Sequence, residues 1–160
     1  MTTRLLTTLL IVASIGAGLM GGLFFTFSNT VMSAFDRLPG GGGVPAMQRI
    51  NEVILNPLFF LVFFGTAILC LVLLFFYLTH LDKNGAWLAC FGAIVYLLGS
   101  IVVTMACNVP LNDKLAAVPV ATSDLVAQWQ AYRAPWTQWN HVRTVACTLA
   151  AAAFAITPLL

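Results

Sequence analysis

Four apolar runs, residues 5–30, 55–79, 86–107 and 139–159, occupy most of this 160-residue chain. Each is about as long as the roughly 20 residues that a helix needs to cross the hydrocarbon core of a bilayer. Within hydrocarbon the backbone must satisfy its own N–H and C=O groups, and for runs of this length only a helix does so. Composition agrees, with 61% apolar and 8% charged residues and a mean hydropathy of +0.97. A soluble domain of this size needs a charged surface that this chain lacks. The sequence therefore predicts an all-α integral membrane protein. Its four transmembrane helices form a bundle in a single domain, 1–160, with two long connections on one side.

Several other readings fall away. A dispersed net charge of +2 gives no footprint for nucleic acid. The first run follows Arg4 as a secretory leader would, but it continues through "GLMGGLFFTF" and is read as a span. Cys70, Cys90, Cys107 and Cys147 all fall in predicted spans and form no C-x-x-C pair, so they read as small apolar packing residues. "GAGLMG" (Gly16, Gly18, Gly21) matches a dinucleotide fingerprint, yet it lies inside an apolar run rather than in a strand-to-helix turn. Gly18 and Gly22 instead form a G-x-x-x-G pair, expected to admit a neighbouring helix.

The connections differ in length. The first, 31–54, carries Gly40 to Gly43 between Pro39 and Pro45, then the short amphipathic helix "AMQRINEVI". The second, "HLDKNG", is tight. In the third, 108–138, Pro110 is expected to stop the third span, and "TSDLVAQWQAYR" reads as a helix capped by Thr122 or Ser123. Trp129, Tyr132 and Trp136 suit the bilayer interface. The long connections hold Arg37, Arg49, Lys114, Arg133 and Arg143, against Arg4 and Lys83 on the other side. The positive-inside rule thus puts the long connections in the cytoplasm.

Polar residues converge on that same end. Thr26, Asn29, Thr30 and Ser33 share one face of the first span, Asn51, Glu52 and Asn56 precede the second, and Thr104 and Asn108 end the third. Of seven asparagines, only Asn84 lies on the opposite side. Helix caps account for Asn51, Asn84 and Asn112 but not for Asn29 or Thr104, which sit inside apolar runs. Intramembrane polar groups face one another or a cavity, so a shared polar pocket is expected.

On the fourth span, Thr137, His141, Thr144 and Thr148 fall on one face, with Trp136, Trp139 and Arg143 opposite and Asn140 between. The threonine stripe favours His141 pointing inward. Arg143 would then pair with Asp36, Glu52 or Asp113, reach a lipid phosphate, or bind substrate. No metal site is expected, because His80 is the only other histidine and lies at the far end.

The segments "FSNTVMSAFDRLP", "AMQRINEVILNPLFF", "TMACNVPLNDKLA" and "WQAYRAPWTQWNHVRTVA" resemble the bacterial branch of the anthrone oxygenase-like family across almost the whole chain. Asn29, Asn51, Pro57, Asn108, Pro110, Asn112, Trp139, Asn140, His141 and Arg143 match its motif positions. Ser33 departs from it, standing where the family pattern has a proline. The resemblance implies four spans in a bacterial inner membrane and oxidation of an anthrone to an anthraquinone by molecular oxygen, with no metal, flavin or other cofactor. Such chemistry needs a base near neutral pKa and donors for a carbonyl oxygen gaining charge. His141 as base, with Asn108 and Arg143 as catalytic partners, fits that need. Asn29, Asn51, Asn112, Trp139 and Asn140 are the candidate substrate-binding residues, in a pocket for a hydrophobic aromatic. The rival reading is a non-enzymatic membrane protein whose polar end binds a lipid, a quinone, a second copy or another membrane subunit.

Overall fold

The computed structural model describes residues 3–121 and 124–160, and every described element is helical. Helix α1 runs over Thr3–Asp36, α2 over Gly43–Val53, α3 over Pro57–Leu78 and α4 over Ala86–Ala116. Helix α5 covers Leu125–Ile156 and ends in a 3₁₀ turn, Thr157–Leu159. Four of them, all but α2, are long and apolar enough to cross a membrane. They close a ring in which α1 packs on α3 and α5, and α4 packs on the same two. This is an integral membrane four-helix bundle.

Small side chains let the helices approach. Ala13 and Ala17 of α1, Ala89 and Ala93 of α4, and Cys147 and Ala150 of α5 are all buried along the axis. Gly16 and Gly21 make the closest approaches of α1. A Cβ on Gly16 would collide with the Thr66 hydroxyl of α3, and one on Gly21 would come within 3.3 Å of Cys147. The expected Gly18/Gly22 pair does not do this. Both are exposed, and a Cβ on either meets nothing within 4 Å.

The expected long connections are mostly helix. Pro110 does not stop α4, because the backbone widens into π-helical turns, Leu97–Val102 and Thr104–Asn108, just before it. The Val109 N–H reaches back five residues to Thr104, which loosens the turn where a proline ring would otherwise press on the preceding carbonyls. The helix of the third connection and the fourth span are likewise one element, α5, which continues through Pro135. The caps expected at Thr122 and Ser123 lie outside the described residues.

Beyond the bundle core, Met32, Val44, Met47, Leu115, Trp129 and Tyr132 bury one another around Trp136 at one end. Trp129, Tyr132 and Trp136 are therefore inside this cap rather than at the lipid interface, and Trp139, 41% exposed, is the outward ring. Helix α2 roofs the cap. Gly41 adopts a φ of 73° against the backbone of Leu125, Gly43 lies on the Trp129 ring, and Gln48 Nε2 donates to the carbonyls of Leu115 (2.8 Å) and Val118 (3.0 Å).

Candidate functional site

The inward face of α5 repeats every three or four residues: Trp129, Tyr132, Trp136, Asn140, Arg143, Cys147, Ala150, Phe154, all buried. His141 is 200° from Arg143 on a regular helix, so the two cannot both face inward. Arg143 is the inward one, 5% exposed, and His141 is exposed on the outer side. This reverses the expected orientation. The threonines are a poor marker of the interior because two of the three bond to their own helix, Thr144 Oγ1 to the Asn140 carbonyl and Thr148 Oγ1 to the Thr144 carbonyl, both at 2.9 Å. A hydroxyl satisfied in this way can face lipid.

Arg143 is held by neutral partners. Its Nη2 donates to Asn140 Oδ1 at 2.7 Å and its Nη1 to Thr104 Oγ1 at 3.2 Å. The guanidinium lies over the Phe24 ring, 4.2 Å from its centroid, and 5.2 Å from that of Trp136. Its Nε is buried without a partner. Two of the three expected acidic partners are engaged elsewhere: Asp36 accepts from Arg133 (2.6 Å) and from Trp129 Nε1 (3.1 Å), and Glu52 pairs with Arg49 (2.6 Å). A buried cation beside rings and amides, with no carboxylate among its contacts, is poised to receive an anion.

Asparagines build the frame around it. Asn140, fully buried, donates from Nδ2 to the Phe24 carbonyl at 2.6 Å and to Ser28 Oγ, at the π-helical turn Phe27–Val31 of α1. That turn rotates the end of α1, so Ser28 faces α5 while Asn29 is exposed, with a weak 3.4 Å bond to Thr30. Asn108, 1% exposed, donates to the Trp136 carbonyl at 3.2 Å, leaving its Oδ1 unpartnered. Asn112 Oδ1 accepts from Tyr132 (2.8 Å) and from Trp136 Nε1 (2.9 Å).

Between these groups lies a cavity of about 100 Å³. Arg143, Thr104, Asn51 and Asn112 supply its polar wall, and Phe24, Phe27, Phe59 and Trp136 are among its apolar lining. The buried Nδ2 of Asn51 has no partner. Leu55, 61% exposed and just before α3, lines the cavity at its rim.

Of the sequence candidates, the structure thus brings Arg143, Asn51 and Asn112 to this cavity, with Asn140 and Asn108 as its braces. His141, Asn29 and Trp139 do not line it. Sequence reasoning missed Phe24, Ser28 and the inward role of Trp136, whose spacing to Arg143 was the available signal. Among the described residues, no three histidine, cysteine or acidic side chains gather as a metal site would require.

A family model described as anthrone oxygenase matches residues 59–153, more than half of the chain. That stretch contains Asn108, Asn112, Asn140 and Arg143, and excludes Asn29 and Asn51. No curated protein matches, and no solved structure matches.

Proposed function

The chain belongs to the anthrone oxygenase family, and from that premise we propose that it oxidises the acidic methylene of an anthrone-type ketone with molecular oxygen in the Arg143 cavity. The observation that carries this reading is Arg143 itself, a buried cation with an unpartnered Nε at the wall of an aromatic-lined cavity. Removing a methylene proton from an anthrone leaves an enolate with charge on the carbonyl oxygen. A preorganised cation at that oxygen stabilises the charge as it develops. Asn51 Nδ2 offers a second donor. The electron-rich enolate reduces oxygen directly, and the balance closes as CH₂ plus O₂ giving C=O plus water.

His141 lies outside the cavity lining, so this reading rests on the substrate's own acidity, raised by Arg143, with the proton passing to water at the rim. The enclosed volume of about 100 Å³ is below the roughly 150 Å³ of a cavity that takes up benzene. Only the carbonyl edge of a fused aromatic therefore enters, while the rest, with the methylene across the central ring, lies toward the rim against Leu55 and Phe59. On this reading the polar end faces the cytoplasm across a bacterial inner membrane, supported by Arg37, Arg49, Lys114 and Arg133.

The test is oxygen uptake with emodin anthrone, above the autoxidation background, by detergent-solubilised wild type and by Arg143→Met and His141→Gln. The arginine variant is expected to lose far more turnover than the histidine variant. The reverse order would return the base role to His141 and overturn the assignment to Arg143. No turnover by folded wild type would overturn the oxidation itself, leaving quinone or lipid binding at the same cavity.

A further inference from the structure

His141 lines two depressions on the outer side of α5, both away from the Arg143 cavity. One, about 220 Å³ and polar, lies between α1 and α5, where Ser28 and Ser33 face Arg133, Thr137 and Gln138. The other, about 420 Å³ and apolar, runs between α4 and α5 along Val95, Val142, Val145 and Leu149. Residues 133, 137, 141, 145 and 149 follow one another at steps of four. On a regular helix each such step drifts by about 40°, so these residues wind obliquely over the outer surface of α5, and the two depressions meet at His141, polar on the α1 flank at the bundle's end and apolar on the α4 flank toward its middle.

The polar part carries donors in search of acceptors. Arg133 spends Nη1 on Asp36 at 2.6 Å, and Asp36 is itself fixed by Trp129, so the fork is held in place with donors left over. The Thr137 hydroxyl is buried and has no partner. The Gln138 amide and the His141 ring open on the same hollow. A cluster of N–H and O–H donors around a held guanidinium matches the oxygens of a phosphodiester. The apolar continuation matches an acyl chain.

We propose that one phospholipid molecule binds along this outer track, its phosphodiester in the Arg133–Thr137–Gln138–His141 hollow and one acyl chain in the Val142–Val145–Leu149 groove. The site is separate from the Arg143 cavity and independent of any oxidation there.

Native mass spectrometry of the full-length protein in detergent tests this with dioleoyl phosphatidylglycerol as the probe. Dioleoylglycerol supplies the chains without phosphate, and inorganic phosphate supplies the head without chains. The phospholipid should bind one-to-one, and neither fragment should bind or compete. Thr137→Val with Gln138→Leu removes head donors, whereas Val145→Trp fills the groove from a position that is 57% exposed. Each should weaken binding about ten-fold, the worth of one charge-assisted hydrogen bond or a comparable apolar contact, with helix content by circular dichroism unchanged. Equal binding of dioleoylglycerol would reduce the track to ordinary lipid contact and overturn the proposal. Competition by inorganic phosphate would make it a free-phosphate site, and unchanged binding in both variants would place the lipid elsewhere.

Discussion

The two halves of the bundle are held together differently. In the half formed by the start of α1, the end of α3, the start of α4 and the end of α5, regular α-helices meet through Ala13, Ala89, Cys70 and Ala150, with Leu10 and Phe154 filling the gaps. The other half contains all the π-helical turns and a proline in each of α4 and α5, as well as Asn51, Asn108, Thr137 and Arg143, each with a buried polar atom lacking a partner. Regular helix is the cheapest backbone in hydrocarbon, so departures from it persist only where side chains take up the released groups. Asn140 donates to the Phe24 carbonyl beside the π-helical turn of α1, and Asn108 donates to the Trp136 carbonyl next to Pro135. The comparison teaches that the first half is built for packing, while the second gives up packing to hold a cation in place.

The comparison is broken most severely at Arg143. Replacing it with methionine removes an uncompensated buried charge and keeps much of the apolar stem, but it also takes the donor away from Asn140 Oδ1 and Thr104 Oγ1, so the two effects on stability oppose each other. The expected outcome is a protein within about 2 kcal/mol of wild-type stability with turnover on an anthrone reduced about 10²- to 10³-fold, the usual worth of an oxyanion donor. Thermal unfolding followed by tryptophan fluorescence, together with oxygen uptake, separates the two effects. A variant that unfolds early but keeps its turnover per folded molecule would make Arg143 a structural residue.

A smaller effect is expected from Asn140→Leu. This strands the Phe24 carbonyl, Ser28 Oγ and one guanidinium nitrogen of Arg143 together. The expected loss is about 3 kcal/mol of stability, since a buried group deprived of its partner keeps its desolvation cost. Asn140→Asp sharpens the point. It keeps the Oδ contact to Arg143 and supplies the anion that the cavity lacks, so turnover should fall, while the lost Nδ2 donor to Phe24 and Ser28 costs stability as in the leucine variant. Turnover that survives the aspartate would show that the reaction does not use the free charge of Arg143.

Most of the fold could be read from the sequence, because spans are set by length and apolarity, which no tertiary detail overrides. Segment 31–36 runs into the glycine-rich stretch after it, and segment 108–116 is polar and contains Pro110, so both look like connections in the sequence. A π-helical turn that accommodates a proline leaves no mark in apolar periodicity. The convergence of asparagines was legible too, but orientation within it was not. Asn29 loses its inward position to a turn that adds a residue to the helical repeat, and Ser28 gains it. In the sequence, Thr137, Thr144 and Thr148 favour His141 as the inward residue. The longer series Trp129, Tyr132, Trp136, Asn140, Arg143, Cys147 and Ala150 was present in the same letters and pointed the other way. Bulky and small residues at spacings of three and four report the packed face better than hydroxyls, which satisfy themselves on their own helix.

The packing half offers the mildest test, a matched pair of glycine substitutions two residues apart on α1. At Gly16 an added methyl must displace the Thr66 hydroxyl, a buried side chain on the facing helix, so Gly16→Ala should cost about 1–2 kcal/mol through overpacking. At Gly18 the same methyl meets nothing, and its only effect is to improve helix propensity by up to about 1 kcal/mol. Unfolding midpoints in a common detergent should therefore move in opposite directions, with Gly18→Ala the smaller shift. Because both residues lie in the same turn of the same span, differences in insertion or expression cancel between them. If Gly18→Ala proved the more damaging, a neighbouring helix would have to sit on the exposed face of α1, and the G-x-x-x-G pair of Gly18 and Gly22 would then be a contact between copies of the protein rather than an unused pattern.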